Sequence, residues 1–144
     1  MIRVTRRYRF SASHRLHAPS LSEAENARIY GKCNHPHGHG HDYVLEVSVR
    51  GAVDARTGLA APVAPLDELV RERVLRDFEH RNLNLDVPEF GGGLVPTSEN
   101  LAVVVERRLR AAWPASWPAL EKVRIRETDR NIFDVVGEGR HEEQ

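Results

Sequence analysis

The sequence predicts an α+β domain, a four-stranded antiparallel sheet with two helices on one face. Three observations predict it: four segments alternate as strands do, two repeat as helices do, and their order is strand, strand, helix, helix, strand, strand. Two hairpin-like pairs joined by two helices bury one sheet face under those helices. The other face is left to solvent or to another subunit.

Residues 2–14 form the first strand, with Ile2, Val4, Tyr8, Phe10 and Ala12 on one parity and Arg3, Arg7 and Arg9 on the other; Arg6 interrupts the apolar side. Residues 41–50 repeat the pattern, Tyr43, Leu45, Val47 and Val49 facing one way and Glu46, Ser48 and Arg50 the other. Gly51 and Asp54–Gly58 read as a turn. Leu66, Leu69, Val70, Val74, Leu75 and Phe78 recur at helical spacing over 66–78, after Pro65. Leu101, Val104, Val105, Leu109 and Ala112 do so over 97–112, with Pro96-Thr97-Ser98 supplying the N-cap hydroxyl. Gly91-Gly92-Gly93, between the helices, lacks the Gly-Lys-Ser/Thr of a phosphate loop and reads as a flexible connection. Val123 and Ile125 alternate with Lys122, Arg124 and Arg126 in a third strand; 129–131 is a turn, and Ile132–Val136 is the fourth strand.

A chain of 144 residues fits one domain over 1–144, with the polar tail from 137 to 144 expected to fray. Basic and acidic residues balance at 21 each, so no global field draws the protein to nucleic acid or membrane. No apolar run approaches a membrane span, and the N-terminus lacks the apolar stretch of a signal peptide, which makes the cytoplasm the expected compartment. Cys33 stands alone, which excludes an internal disulfide framework.

Histidine is concentrated early: His14, then His17, His35, His37, His39 and His41. In an extended chain His39 and His41 share the parity of Tyr43 and Leu45, and His14 shares that of Phe10 and Ala12. Two strands thus end in imidazoles pointing inward from one apolar face. Zinc accepts neutral imidazole, and a catalytic zinc commonly has three protein ligands and one open position. His-Gly-His alone reads equally as a solvated loop; the third histidine, His14, tips the reading toward metal. Spacing leaves His37 open as a further ligand.

The segments Phe10-Ser11-Ala12-Ser13-His14-Arg15-Leu16, Gly31-Lys32-Cys33-Asn34 and Gly38-His39-Gly40-His41-Asp42-Tyr43 closely resemble the 6-pyruvoyltetrahydropterin synthase family. The resemblance continues in order through Asp54-Ala55-Arg56-Thr57-Gly58, His80-Arg81-Asn82-Leu83, Pro96-Thr97-Ser98-Glu99-Asn100 and Glu127-Thr128-Asp129. It implies the tunnelling fold, in which the sheets of three subunits join into a barrel and two trimers stack into a homohexamer with active sites between subunits. It implies zinc at His14, His39 and His41, and a dihydropterin triphosphate as the small-molecule partner.

It also implies roles. Cys33, in a polar segment close to the metal, is the base that removes a side-chain proton, while zinc polarises the neighbouring oxygens. Read alone, a lone cysteine is a small buried hydrophobe. His80 is a second proton-transfer group, whose carboxylate partner in the family is Asp; here that position is Glu79, with Asp77 as a substitute. Glu127 continues the inward parity of Val123 and Ile125, and by resemblance its carboxylate takes the 2-amino and N3 hydrogens of the pterin; the plainer reading is an internal salt bridge. Thr97, Ser98 and Glu99 lie beside the pterin by the same resemblance, or only cap a helix.

The implied activity is that of a lyase converting 7,8-dihydroneopterin triphosphate to 6-pyruvoyltetrahydropterin with loss of triphosphate. One alternative is 6-carboxytetrahydropterin synthesis on the deazaguanine (queuosine) route, whose members place Cys nearer the His pair. The five residues between Cys33 and His39 favour the pyruvoyl product. A second alternative is a catalytically weak pterin- or zinc-binding homologue.

Overall fold

The structure, a computed structural model, describes residues 1–136. The tail expected to fray, 137–144, lies outside the described residues. The centre of the fold is a five-stranded sheet in the order β3-β1-β2-β4-β5, formed by β1 (Ile2–His14), β2 (His39–Gly51), β3 (Arg81–Asn82), β4 (Ala119–Arg126) and β5 (Ile132–Val136). All pairings are antiparallel except β3 with β1. The expected sheet had four strands. The fifth, β3, is two residues long, too short for any alternation to register.

The alternating apolar residues of β1, β2 and β4 meet under two helical layers. One runs from α2 (Val63–Val70) through a π turn at Arg71–Leu75 into α3 (Arg76–Phe78), and buries Leu66, Val70, Val74 and Phe78. The other, separated from it by a four-residue α4 (Leu83–Asp86), is α5 (Ser98–Ala112), capped by the Thr97 hydroxyl on the Asn100 amide and burying Leu101, Val104, Val105 and Leu109. Arg6, the charge on the apolar face, is not stranded. It holds Asp67 of α2 through two bonds of 3.0 and 2.8 Å, and the Tyr8 hydroxyl donates to the same carboxylate at 2.6 Å. The clamp ties the middle of β1 to α2.

The β1–β2 register positions the site. Phe10 faces Tyr43, Ala12 faces His41 and His14 faces His39. Phe10 stacks on Tyr43 with centroids 5.1 Å apart and meets Phe78 edge-on at 5.9 Å, so rigid aromatics underlie the imidazoles. A helix absent from the sequence expectation, α1 (Glu23–Tyr30), sits in the connection between the two strands. Its apolar periodicity is weak, but Ser22 and Glu25 form a complete capping box, and fully buried Asn26 bonds the backbone of Ala18, Leu21 and Ser22.

Candidate active site

His14, His39 and His41 converge at one end of the β1–β2 pair. Ring centroids lie 5.3 Å apart for His14 and His39, 5.0 Å for His14 and His41, and 4.6 Å for His39 and His41. Cys33 comes from the 3₁₀ turn Gly31–Asn34, whose Cys33 carbonyl accepts from the Leu16 amide at 2.7 Å. One ligand atom each from His14, Cys33 and His39 falls within 4.8 Å of the others, and the Nε2 atoms of His39 and His41 are 3.1 Å apart. Gly38 allows this approach: its φ is +68°, and a Cβ there would stand 2.5 Å from the His14 carbonyl oxygen.

His14 is 1% exposed. Its Nδ1 lies 2.9 Å from the Pro96 carbonyl, which can only accept, so Nδ1 carries the hydrogen and Nε2 the lone pair. That Nε2 is buried with no hydrogen-bond partner. An orphaned lone pair beside two imidazoles and a thiol fits a bound cation, and the fixed Nδ1 hydrogen is the outer-shell bond that orients a ligating histidine. Burial pushes His14 and His41 below the ordinary histidine value, toward the neutral form a metal takes. His35 and His37 are exposed and lie outside this cluster, their rings 5.6 Å apart.

Cys33 is half-buried beside this cluster. Burial first, and then the Glu127 charge, push the thiol up. Glu127 follows β4, its Oε1 sits 3.3 Å from His41 Nε2, and the buried Ser98 hydroxyl donates to its other oxygen. The inward carboxylate is therefore joined to the histidine cluster rather than to an arginine. Thr97 is the N-cap, and Glu99 is exposed in the first turn of α5.

Glu79 and His80 sit at the β3 edge of the sheet, where His80 joins Ser11, Ser13, Gly40, Asp42 and Asn82, and also His41 of the histidine cluster, around a cavity of about 550 Å³. The Glu79–His80 pair bonds the Ser11 backbone through the Glu79 carboxylate and the His80 amide. Asp77, the alternative partner for His80, is held at 2.6 Å by Arg108 instead. Sequence reasoning missed Pro96, whose carbonyl sets the His14 tautomer, and Tyr43, whose hydroxyl lies 3.3 Å from the same nitrogen. Pro96 carries no local signal for that role. Tyr43 showed only as an inward strand residue.

A family model described as 6-pyruvoyl tetrahydropterin synthase matches residues 3–138. A 6-pyruvoyl tetrahydrobiopterin synthase of Poecilia reticulata is 46% identical, over 94% of this chain and 90% of its own length. The Homo sapiens protein of that name is 43% identical over 94% and 91%. A solved structure of Caenorhabditis elegans 6-pyruvoyl tetrahydropterin synthase superposes with a TM-score of 0.87 at 42% identity, covering 94% of this chain and 95% of that one. An uncharacterized Wolinella succinogenes protein, 18% identical with a TM-score of 0.69, shares the fold.

Proposed function

The chain belongs to the 6-pyruvoyl tetrahydropterin synthase family, and from that premise we propose that it is a zinc-dependent lyase converting 7,8-dihydroneopterin triphosphate to 6-pyruvoyltetrahydropterin with release of triphosphate. The observation that carries the reading is the buried, unpartnered Nε2 of His14, set among His39, His41 and Cys33.

His14, His39 and His41 would hold the zinc. Bound there, it would supply a Lewis acid that polarises the side-chain oxygens of the substrate and makes the adjacent carbon-bound proton more acidic. Cys33 takes that proton. Burial and the Glu127 charge push its thiol up, and a cation held beside it would favour the thiolate. Glu127, steadied by the Ser98 hydroxyl, accepts the 2-amino and N3 hydrogens of the pterin and fixes the ring, with Thr97 and Glu99 at the helix start beside it. His80, served by Glu79, handles the second proton transfer.

Two things support an assembly that brings His80 of one subunit to Cys33 of another. His80 is 80% exposed. Among the described residues, β1 is paired on its outer side only at Ala12 and Ser13, and β5 has no outer neighbour, so open edges are left at both sides of the sheet. A homohexamer, a dimer of trimers joined through such edges into barrels, and a cytoplasmic location complete the proposal. No helix of the described residues is long and apolar enough to cross a membrane.

The five-residue gap between Cys33 and His39 favours the pyruvoyl over the carboxy product. The test is mass analysis after incubation with 7,8-dihydroneopterin triphosphate. A three-carbon side chain kept in the product supports the reading. A 6-carboxy product assigns the chain to the deazaguanine route, and no turnover leaves a pterin- or zinc-binding homologue.

A further inference from the structure

We infer that His35 and His37 form a second, weaker metal site at the surface, an entry point that takes zinc from solution and passes it to the buried histidine cluster. The inference rests on the reading of His14, His39 and His41 as the zinc ligands and adds the route by which the ion reaches them.

The chain has eight histidines, and most of those described have a visible task. His14, His39 and His41 converge, His80 is held by Glu79, and His17 Nδ1 accepts from the Asn34 side-chain amide at 3.1 Å. His35 and His37 have none of these roles. Both are exposed, and their ring centroids stand 5.6 Å apart, close to the 5.3 and 5.0 Å that separate His14 from its two neighbours. That separation suits two imidazoles on one ion, with a zinc–nitrogen bond of about 2.0–2.1 Å on each side.

The turn that carries them is stiff. Pro36 fixes its own φ, the His35 carbonyl accepts from the Gly38 amide at 2.8 Å, and the His35 amide donates to the Lys32 carbonyl at 3.2 Å. Its base is tied at Asn34, whose side chain donates to the Leu16 carbonyl at 2.7 Å and whose own carbonyl accepts from Arg15 Nε at 3.0 Å. The two rings are thus placed before an ion arrives, and little freedom is lost on binding. His35 Nδ1 accepts from the His37 amide at 3.3 Å, a long bond that a ring turning to an ion gives up cheaply.

Position gives the site its use. His14 is 1% exposed and its Nε2 is buried, so an ion cannot reach that nitrogen straight from bulk water. His35 stands at both ends of a way in. It neighbours His37 on the outside, and with half-buried His39 it lines a second cavity of about 550 Å³. Lys32 is the charged group of that lining and no carboxylate belongs to it, so imidazoles alone mark the route. Among the described residues the group of three donors within 4.8 Å is His14, Cys33 and His39, which leaves the turn two protein ligands, with water completing the shell. Two ligands bind more weakly than three, by about two orders of magnitude, and hand-over requires an ion that can leave. An ion held at the turn is presented to the cluster at an effective concentration of order millimolar.

Zinc-loaded protein labelled with ¹⁵N-histidine, titrated with further zinc, tests the site. The parent should take a second ion per subunit about a hundredfold or more weaker than the first, shifting the ring nitrogens of His35 and His37 and not those of His14. The double variant His35→Asn, His37→Asn keeps Pro36 and Gly38 and should lose that second ion. Stripped of zinc by a chelator and resupplied at low micromolar concentration, the variant should fill the cluster about tenfold more slowly than the parent. The final affinity of the cluster should be unchanged, because an entry site speeds uptake and release by the same factor. No second ion in the parent, a second ion kept in the variant, or uptake at the parent rate would each overturn the inference. So would a loss of cluster affinity in the variant, which would make these residues part of the cluster itself. Zinc that survives His14→Ala would instead overturn the reading beneath, while the ring shifts still decide where the second ion sits.

Discussion

The Cys33 region and the Glu79–His80 region are built differently. The Cys33 end is assembled within one chain: β1 and β2 set three imidazoles by register, Pro96 fixes the His14 tautomer, and His14 is buried. The Glu79–His80 end hangs on the sheet edge by two bonds to Ser11, with an open cavity in front. The first region is closed around a buried imidazole. The second is held in shape but faces outward, with the His80 side chain 80% exposed.

The largest effect should follow from damage to the Cys33 region. His14→Ala removes the one ligand whose Nε2 lies buried without a partner, and elemental analysis should show zinc lost and turnover with it; metal retained at full occupancy would break the contrast. Cys33→Ala should lower turnover by about two to four orders of magnitude while zinc stays bound, since a base is removed and three imidazoles remain. Loss of zinc in that variant would move Cys33 into the ligand set, which the 4.8 Å grouping with His14 and His39 also accommodates.

Gly38→Ala should weaken zinc binding and turnover without altering any of the three imidazoles or Cys33. A Cβ meets the His14 carbonyl at 2.5 Å, and φ is +68°, so the loop must shift. Zinc affinity should fall by about tenfold in a metal titration. The smallest effect concerns the clamp away from both regions. The Arg6 guanidinium, then the Tyr8 hydroxyl, hold Asp67 below the ordinary carboxylate range. A lowered folded-state pKa stabilises the protein above the ordinary value and loses that contribution as pH falls through the lowered one. Asp67→Asn should therefore flatten the acid limb of a melting-temperature profile and leave kcat unchanged at neutral pH.

Parity made the Cys33 region legible in the sequence. His14, His39 and His41 continue the apolar faces of two alternating strands, so their shared inward face followed from periodicity before any resemblance was used, and Glu127 showed the same inward parity on β4. What stayed hidden depends on contacts distant in sequence or on short elements. Pro96 meets His14 across 82 positions, β3 has two residues, and α1 is held by a capping box and a buried asparagine in place of an apolar stripe. Arg6 looked like an interruption because its partner, Asp67, lies on α2. The upward push on the Cys33 thiol, from burial and then Glu127, also stayed hidden, because it comes from groups distant in sequence.

The central claim is that a working site joins the Cys33 region of one chain to the His80 region of another. Subunit mixing tests it directly. Cys33→Ala and His80→Ala, each inactive alone, would be unfolded together, refolded with zinc and assayed on 7,8-dihydroneopterin triphosphate. The account predicts recovery of about a quarter of the parent rate, because one interface in four then pairs an intact Cys33 with an intact His80. A mixture that assembles but stays inactive would show that both groups must come from the same chain.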